Sequence, residues 1–394
     1  MLKGKTVVLG VTGSIAAYKI ANLARMLVKQ HCEVHVLMTQ NATNFINPIT
    51  FETLTKHKCL IDTFDRNFEF SVEHVALAKA ADVVMIAPAS ANVIGKIANG
   101  IADDMLTTTV MACPCKKIVS PAMNHNTFHN PIVQDNIEKL KHYGYEIVEP
   151  AHGMLANGDM GDGRMPDEEL LFEYIVKEIA FEKDMTGKKV LVTAGATVEA
   201  IDPVRFITNH SSGKMGFALA KNAMLRGADV TLVMGKCDSE PPVFVNTVKV
   251  QSAKDMYDAV IERADSMDII VKAAAVADYR PKNVSSEKVK KQDGNMSIEL
   301  ERTDDILKTL GERKNGQFIC GFSMETENML ENSKKKLEKK NCDMIVANNL
   351  KQDGAGFGGN TNIVTLITKD DEVQLEKMTK DEVAEKIFDF ILSR

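Results

Sequence analysis

The chain has 394 residues, and the usual domain size of about 100–200 residues predicts two domains. The apolar content of 44% and the charged content of 26% are those of a globular protein, and the net charge of −6 disfavours a nucleic-acid partner. Seven scattered cysteines do not suggest a secreted disulfide framework, and no run reaches about 18 apolar residues, so we expect no membrane span and a cytoplasmic protein.

The first half alternates short apolar runs with helical patterns. Its predicted strands are KTVVLG, EVHVLM, ADVVMIAP, KKIVSPAMN and YEIVEP, and its predicted helices cover 14–29, 130–142 and 167–183. A glycine-rich loop, HGMLANGDMGDGRMP (152–166), lies before the last helix. This alternation predicts a parallel sheet with helices on both faces.

The pattern restarts after a polar stretch, 182–189, which we interpret as a linker. Further strands are predicted at KKVLVTAG, DVTLVMG, MDIIVKAAAVAD, FICGF, DMIVAN and NIVTLIT, with a helix over 216–226. We therefore predict two different doubly wound, Rossmann-like α/β domains, 1–183 and 184–394. Ligands of such sheets bind beyond the carboxyl ends of the strands.

The first strand ends in the turn Gly10-Val11-Thr12-Gly13-Ser14, where free amides and a helix start favour a phosphate. The dinucleotide fingerprint G-x-G-x-x-G is absent, and the second strand ends at Met38-Thr39-Gln40 without an acidic residue for a ribose. A mononucleotide is therefore favoured over NAD, with a purely structural turn as the alternative.

Small residues after ADVVMIAP leave room for a flat ring, and Ser90 and Asn92 offer hydrogen bonds. His74, in SVEHVALAKAA, is either an ordinary helix histidine or part of the same crevice.

In the second half, Lys336 and Lys340 are four residues apart and share a helix face. That face is either solvated or a paired cationic surface for a triphosphate.

Long motifs carry a resemblance to a known family. VTGSIAAYK, EHVALAKAAD, PASANVIGKIANGIADDMLTT and PAMNHNTFHNP resemble the flavin-dependent cysteine decarboxylases. TAGATVEAIDPVRFITNHSSGKMG and AAAVADYRP resemble phosphopantothenoylcysteine synthetase. In this order, over nearly the whole chain, they resemble the bacterial bifunctional phosphopantothenoylcysteine decarboxylase/phosphopantothenate–cysteine ligases of coenzyme A synthesis.

For the first domain, this resemblance implies FMN bound at a subunit interface, commonly in a trimer. It implies His74 as the catalytic histidine and Asn124 as the residue that holds the substrate carboxylate. The flavin oxidises the cysteine moiety so that CO2 can leave, and the product then needs a hydride and a proton. The implied FMN-binding residues are Gly13, Ser14, Thr39, Ser90 and Asn92.

The glycine-rich loop departs from the family at its acid. The family pattern A-C-G-D-x-G-x-G-R-M has Asn157 in place of its cysteine here. An amide is not a usable proton donor near neutral pH, so decarboxylation is predicted but the final reduction lacks the family's donor. Asp159, Asp162 and His152 are the local alternatives.

For the second domain, the resemblance implies a CTP-dependent ligase. The carboxylate of 4′-phosphopantothenate attacks CTP, Mg²⁺ offsets the triphosphate charge, and the amine of L-cysteine attacks the acyl-cytidylate. Asn209 and Arg205 hold that intermediate and Lys288 stabilises charge; the metal ligands are not predicted. Dimers of this domain, joined to trimers of the first, make a homo-oligomer. The implied CTP-binding residues are Ala274, Asp278, Asp305, Ile306, Phe322, Lys336 and Lys340.

Two other functions are compatible with part of this pattern. In one alternative, the flavin domain is a non-catalytic binding or regulatory module, as in relatives of the fold that bind phosphatases. In the second, the chain is an NAD-dependent dehydrogenase, which the missing fingerprint and the missing ribose carboxylate disfavour.

Overall fold

The structure, a computed structural model, describes residues 2–63, 73–154, 158–290, 296–325, 328–349 and 359–394. The chain forms two compact units, Met1–Phe181 and Glu182–Arg394. Each is an α/β unit around a largely parallel sheet, as the predicted fold class requires. No helix in the described part of the chain is both long and apolar enough to cross a membrane.

The first unit is built from alternating strands and helices. Its strands β1 to β7 are Thr6–Val11, Glu33–Met38, Val83–Ala89, Lys116–Pro121, Glu146–Ile147, Ala151–Met154 and Met160–Arg164. Its helices α1 to α8 are Ile20–Lys29, Pro48–Thr55, Glu73–Ala80, Ala91–Ala98, Met105–Ala112, His125–Phe128, Pro131–His142 and Glu168–Ile179.

The main sheet of this unit has the order β2-β1-β3-β4-β5, and all its neighbours are parallel. The order of successive strands therefore reverses between β1 and β3, which is where such folds open a crevice. The helix predicted over 14–29 is in fact a 3₁₀ turn, Ile15–Lys19, followed by α1. Ser14 ends the extended chain there, because its hydroxyl accepts a hydrogen bond from the Ala16 amide.

The glycine-rich stretch 152–166 is not the loop that its composition suggested. Strands β6 and β7 pair as an antiparallel hairpin, with Gly153 opposite Gly161 and Met154 opposite Met160. Glycine has no side chain to pack, so the strand signal was weak in the sequence. The tip, which includes Asn157, lies outside the described residues.

The second unit has a larger sheet and short flanking strands. Its strands β8 to β21 are Lys189–Ala194, Val198–Ala200, Phe206–Thr208, Asp229–Met234, Asn246–Lys249, Ile269–Lys272, Tyr279–Pro281, Leu300–Arg302, Phe318–Glu325, Met344–Asn349, Thr361–Asn362, Val364–Ile367, Glu372–Gln374 and Met378–Thr379. Its helices α9 to α13 are Lys214–Leu225, Ala253–Ala264, Ile306–Glu312, Met329–Lys339 and Lys380–Leu392.

The order of the large sheet is β12-β11-β8-β13-β16-β17-β19-β20, with its reversal between β8 and β13. The first six strands are parallel, whereas β19 and β20 are antiparallel, so NIVTLIT does not continue the predicted parallel pattern. Helix α9 packs closely on β8 at Gly216, where a Cβ atom would lie 2.5 Å from the Ala194 Cβ. Only glycine permits this approach.

Candidate functional site

The turns after β1 and β3 are joined by a buried threonine that the sequence analysis did not single out. The Thr12 hydroxyl donates to the Pro88 carbonyl oxygen at 2.6 Å and accepts from the Ser90 amide at 2.9 Å. Thr12 therefore holds the Gly13-Ser14 turn beside Ser90, at the reversal of the sheet. A threonine in a Gly-Val-Thr-Gly-Ser turn gave no local sign of a partner 76 residues away.

The predicted FMN-binding residues follow the carboxyl ends of three adjacent strands. The Thr39 hydroxyl, after β2, is buried and accepts from the Ala42 amide at 3.3 Å. The Ser90 hydroxyl, after β3, accepts from the Val93 amide at 3.4 Å and so caps α4. Asn92 is exposed on the first turn of that helix.

A cavity of about 520 Å³ lies between the turn after β1, the segment after β4 and the hairpin. Ser14 and Asn124 line it together, and Asn124 begins α6 by accepting from the Asn126 amide at 2.9 Å. Two cations that the sequence analysis did not single out, Lys19 and Arg164, also line it. Both contact Asp167, at 3.1 and 3.5 Å, and the hydrogen bond from Lys19 lowers the pKa of that carboxyl.

The hairpin glycines approach protein atoms rather than open space. Gly163 has φ +114°, its carbonyl accepts from the Met123 amide at 3.0 Å, and a Cβ there would lie 2.3 Å from the Met123 oxygen. A Cβ on Gly161 would lie 2.8 Å from His125 Nδ1. These glycines therefore bring the hairpin against the segment that carries Asn124.

Two predicted catalytic residues are not placed at this cavity. His74 is half-buried on α3 and is not among the described residues that line the cavity. Asn157 is outside the described residues. Of the alternative donors, Asp162 receives hydrogen bonds from His152 and His129 that lower its carboxyl pKa, so this carboxyl is ionised at neutral pH and has no proton to donate.

In the second unit, residues from four separate segments line one cavity of about 380 Å³ beyond β13. Lys340 pairs with Asp305, whose carboxylate also accepts from the Lys308 amide at 2.9 Å and begins α11. Burial raises the pKa of Asp305, but the hydrogen bonds and the lysine charges outweigh it, so the pKa lies below its ordinary value. The predicted residues that line this cavity are Asp278, Asp305, Ile306, Lys336 and Lys340.

Lys272 is a residue of this cavity that the sequence analysis did not identify. It is the last residue of β13 and lines the cavity with Lys336 and Lys340. Burial first, and the charge of Lys336 second, lower the pKa of Lys272 from 10.5 to about 8, against the opposing effect of Asp305 and Asp278. A lysine that directly follows the apolar run IIV at the carboxyl end of a strand was the available signal.

One of the predicted acyl-cytidylate residues, Arg205, is held by a buried aspartate. Asp202 Oδ2 accepts from Arg205 Nη2 at 2.6 Å and from the Val289 amide at 3.1 Å. The Arg205 guanidinium and three backbone amides hold the pKa of Asp202 far below its usual range. Asp202 thus connects Arg205 to the segment of Lys288, whose own side chain is exposed.

The other predicted residues of this unit lie along the same strand ends. The Ala274 amide donates to Thr193 Oγ1 at 3.0 Å, and Asn209 Nδ2 donates to the Ala275 carbonyl at 3.3 Å. Phe322 lies in β16, and its carbonyl accepts from Lys336 Nζ at 2.9 Å. Phe322 lines a neighbouring small cavity with Ser211 and other residues of the turn before α9.

Comparisons with known proteins define the class. Residues 1–180 match the family model described as Flavoprotein, and residues 185–394 match the model described as DNA/pantothenate metabolism flavoprotein C-terminal domain. The chain thus joins a flavoprotein domain to a domain of pantothenate metabolism.

The chain belongs to the family of bifunctional coenzyme A biosynthesis proteins. It is 47% identical over 373 residues to the Coenzyme A biosynthesis bifunctional protein CoaBC of Bacillus subtilis, covering 94% of this chain and 92% of the relative. It is 42% identical over 393 residues to the protein of the same name from Vibrio cholerae, covering 99% and 98%. A crystal structure of the C-terminal domain of such a protein is 49% identical and covers 52% of this chain and 95% of its own, with a TM-score of 0.46.

This membership confirms the resemblance read from the sequence and makes the chain a bifunctional decarboxylase and ligase of coenzyme A synthesis. The relatives match across both units and are named as bifunctional, which disfavours a first unit that only binds partners. It also disfavours an NAD-dependent dehydrogenase.

Proposed function

We propose that the second unit joins 4′-phosphopantothenate to L-cysteine at the expense of CTP, and that the first unit decarboxylates the phosphopantothenoylcysteine formed. The observation that carries the ligase assignment is the single cavity that gathers three lysines and a paired aspartate. A triphosphate requires a convergent cationic surface, and Lys272, Lys336 and Lys340 supply one.

In the ligase reaction, the substrate carboxylate attacks the α-phosphorus of CTP and pyrophosphate leaves. The cysteine amine then attacks the acyl-cytidylate, and CMP leaves as the amide forms. Arg205, held by Asp202, and Asn209 orient the intermediate, while Lys288 offsets the charge that develops. Asp278 and Asp304 line the same cavity, which fits a nucleotide that arrives with Mg²⁺.

Pyrophosphate release tests the ligase. The full-length protein should release pyrophosphate continuously only when CTP, Mg²⁺, 4′-phosphopantothenate and cysteine are all present. Lys336→Met should raise KM for CTP about 10-fold or more, because it removes a charge-assisted contact in the cavity. No pyrophosphate under these conditions would refute the assignment.

Lys334→Met is the matched control on the same helix. Lys334 pairs with Glu372 at 2.8 Å and is more than half exposed, so KM for CTP should stay within about twofold of wild type. Equal effects of the two substitutions on KM would mean that α12 attracts CTP only through its total positive charge and not through a contact from Lys336.

In the first unit, the donor set fits FMN. Hydroxyl, amide and backbone N–H groups of Gly13, Ser14, Thr39, Ser90 and Asn92 lie beyond adjacent strand ends at the reversal of the sheet. Bound FMN supplies the oxidation that lets CO2 leave and the hydride that returns afterwards. Asn124 orients the substrate carboxylate in the cavity, and Lys19 and Arg164 give that cavity a positive charge suited to a phosphorylated substrate.

The proton of the final reduction depends on position 157. An amide does not donate a proton near neutral pH, whereas a cysteine thiol does. Asn157→Cys should therefore raise the ratio of 4′-phosphopantetheine to the product two hydrogens lighter, as measured by mass spectrometry. If wild type gives phosphopantetheine alone and the substitution changes nothing, another group donates the proton.

The assembly and location complete the proposal. We expect a trimer of the first unit to bring His74 of one protomer to the cavity of another, because His74 is not among the described residues that line the cavity of its own chain. Large apolar side chains at the cavity rim, Ile15, Tyr18 and Met154, are more than half exposed and suit a covered surface. All seven cysteines are free, which fits a reducing cytoplasm.

Light scattering on the full chain tests the assembly. Trimers of the first unit joined by dimers of the second should give a mass that is a multiple of six protomers. A monomer with full decarboxylase activity would contradict the shared site.

A further inference from the structure

Three histidines and an aspartate meet where the hairpin contacts the segment after β4, and the proposed reactions assign none of the three histidines a role. His125 begins α6 and His129 follows its last residue. The His129 amide donates to the His125 carbonyl oxygen at 3.0 Å, so the two residues are one helical turn apart. Their rings therefore share a face, with centroids 4.4 Å apart.

Asp162, on β7, contacts all three imidazoles. Its Oδ2 lies 2.9 Å from His129 Nε2, and its Oδ1 lies 2.9 Å from His152 Nδ1 on the neighbouring strand. Its backbone amide donates to His125 Nδ1 at 3.1 Å. The carboxylate therefore links the hairpin to the start of the segment that follows Asn124.

We propose that His125, His129 and Asp162 bind a divalent transition-metal ion, in the first instance Zn²⁺. One ligand atom from each of the three residues lies within 4.8 Å of the others. Imidazole nitrogen and carboxylate oxygen are the donors that Zn²⁺ takes, and two histidines four residues apart on a helical turn present theirs to the same side.

Metal binding requires the three ligand atoms, which lie within 4.8 Å of one another, to move closer together. With metal–ligand bonds of about 2.0–2.1 Å, the ligand atoms of a tetrahedral site lie about 3.4 Å apart. His129 and Asp162 have side chains 48% and 36% exposed, so they have room to rotate towards a shared ion. His152 remains on the outer carboxylate oxygen, where a histidine or carboxylate partner commonly orients a ligand.

The donor set also selects the ion. Mg²⁺ and Ca²⁺ prefer all-oxygen coordination, so the Mg²⁺ that accompanies CTP should not compete for two imidazoles. A bound ion would fix β7 to the segment of Asn124, and residues of both line the cavity described above. The site thus gives the first unit a metal-dependent clamp that is independent of its reaction with FMN.

Calorimetric titration with ZnSO4 tests the site on the full-length protein, stripped of metal with a chelator and kept in excess Mg²⁺. Wild type should bind one more Zn²⁺ ion per chain than His129→Gln or Asp162→Asn, or bind that ion at least about 10-fold more tightly. His142→Gln is the matched control, because His142 is exposed at the end of α7 and should leave binding unchanged. Identical titrations of all four proteins would overturn the proposal.

A second measurement needs no variant. Crystals of the wild-type protein soaked in Zn²⁺ should give an anomalous peak at the zinc edge between His125, His129 and Asp162. Peaks confined to other residues would overturn the proposal. They would mean that Asp162 only pairs with His129 and His152 where the hairpin meets the segment after β4.

Discussion

Lys272 should make CTP binding depend on pH in a window set by its depressed pKa. Lys336, Lys340, Asp278 and Asp305 are the charged groups that act on its pKa, and Arg302 and Asp304 also line the cavity. In the free protein it loses its proton around pH 8, and only the protonated form attracts a triphosphate. From pH 7.5 to 9.0 the protonated fraction falls from about three-quarters to about one-eleventh, so the Kd for CTP should rise about 8-fold.

The assay is calorimetric titration of Mg²⁺–CTP without cysteine or 4′-phosphopantothenate, so that no substrate group titrates in this range. Lys272→Met should bind CTP more weakly at pH 7.5 and lose the pH dependence. Lys272→Arg should also be flat, but tighter, because a guanidinium keeps its charge throughout. Lys334→Met should retain the wild-type profile. If wild type and Lys272→Met share one pH dependence, Lys272 is not the titrating group.

The same lysine should cost stability when no nucleotide is bound. Its pKa is lower in the folded protein than in the unfolded chain, so the cost is full below about pH 8 and fades as the pH rises towards 10.5. The depression corresponds to an upper bound of about 3 kcal/mol at pH 7. Lys272→Met should therefore have a higher free energy of unfolding in denaturant titrations at pH 7, and this advantage should shrink by pH 10. A variant less stable at pH 7 would contradict the buried charge.

Two further substitutions test residues that hold other parts of the two candidate sites in place. Asp202→Asn removes a carboxylate that holds Arg205 and the Val289 amide, so ligase activity should fall by about 10-fold or more, with a lower melting temperature. Unchanged pyrophosphate release would show that Arg205 needs no such support. Gly163→Ala places a Cβ 2.3 Å from the Met123 oxygen, so it should destabilise the first unit by more than the about 1 kcal/mol expected for Gly144→Ala, which has φ +84° in open space. Equal losses in thermal melts would mean that the hairpin does not press on Met123.

The sequence by itself determined the two α/β units and pointed to much of their candidate sites. Glycine turns, strand ends and the spacing of Lys336 and Lys340 are local features, because adjacent residues share a strand end or a helix face. The spacing of Lys336 and Lys340 indicated a shared helix face, whereas the CTP-binding role of Asp278, Asp305 and Ile306 was predicted from the family resemblance, and all five line one cavity. Ala274 and Phe322, predicted in the same way, are not among the described residues that line it.

Only the tertiary structure decided the features that depend on distant partners and on burial. Thr12 meets Pro88 across 76 positions, and the hairpin contacts Met123 and His125 through glycines whose composition suggested a loop. Lys272 gave no sign of a depressed pKa, because desolvation depends on what covers a side chain and not on its neighbours in the chain. The sequence therefore specifies which groups stand at the strand ends, while packing decides which of them meet and in which charge state.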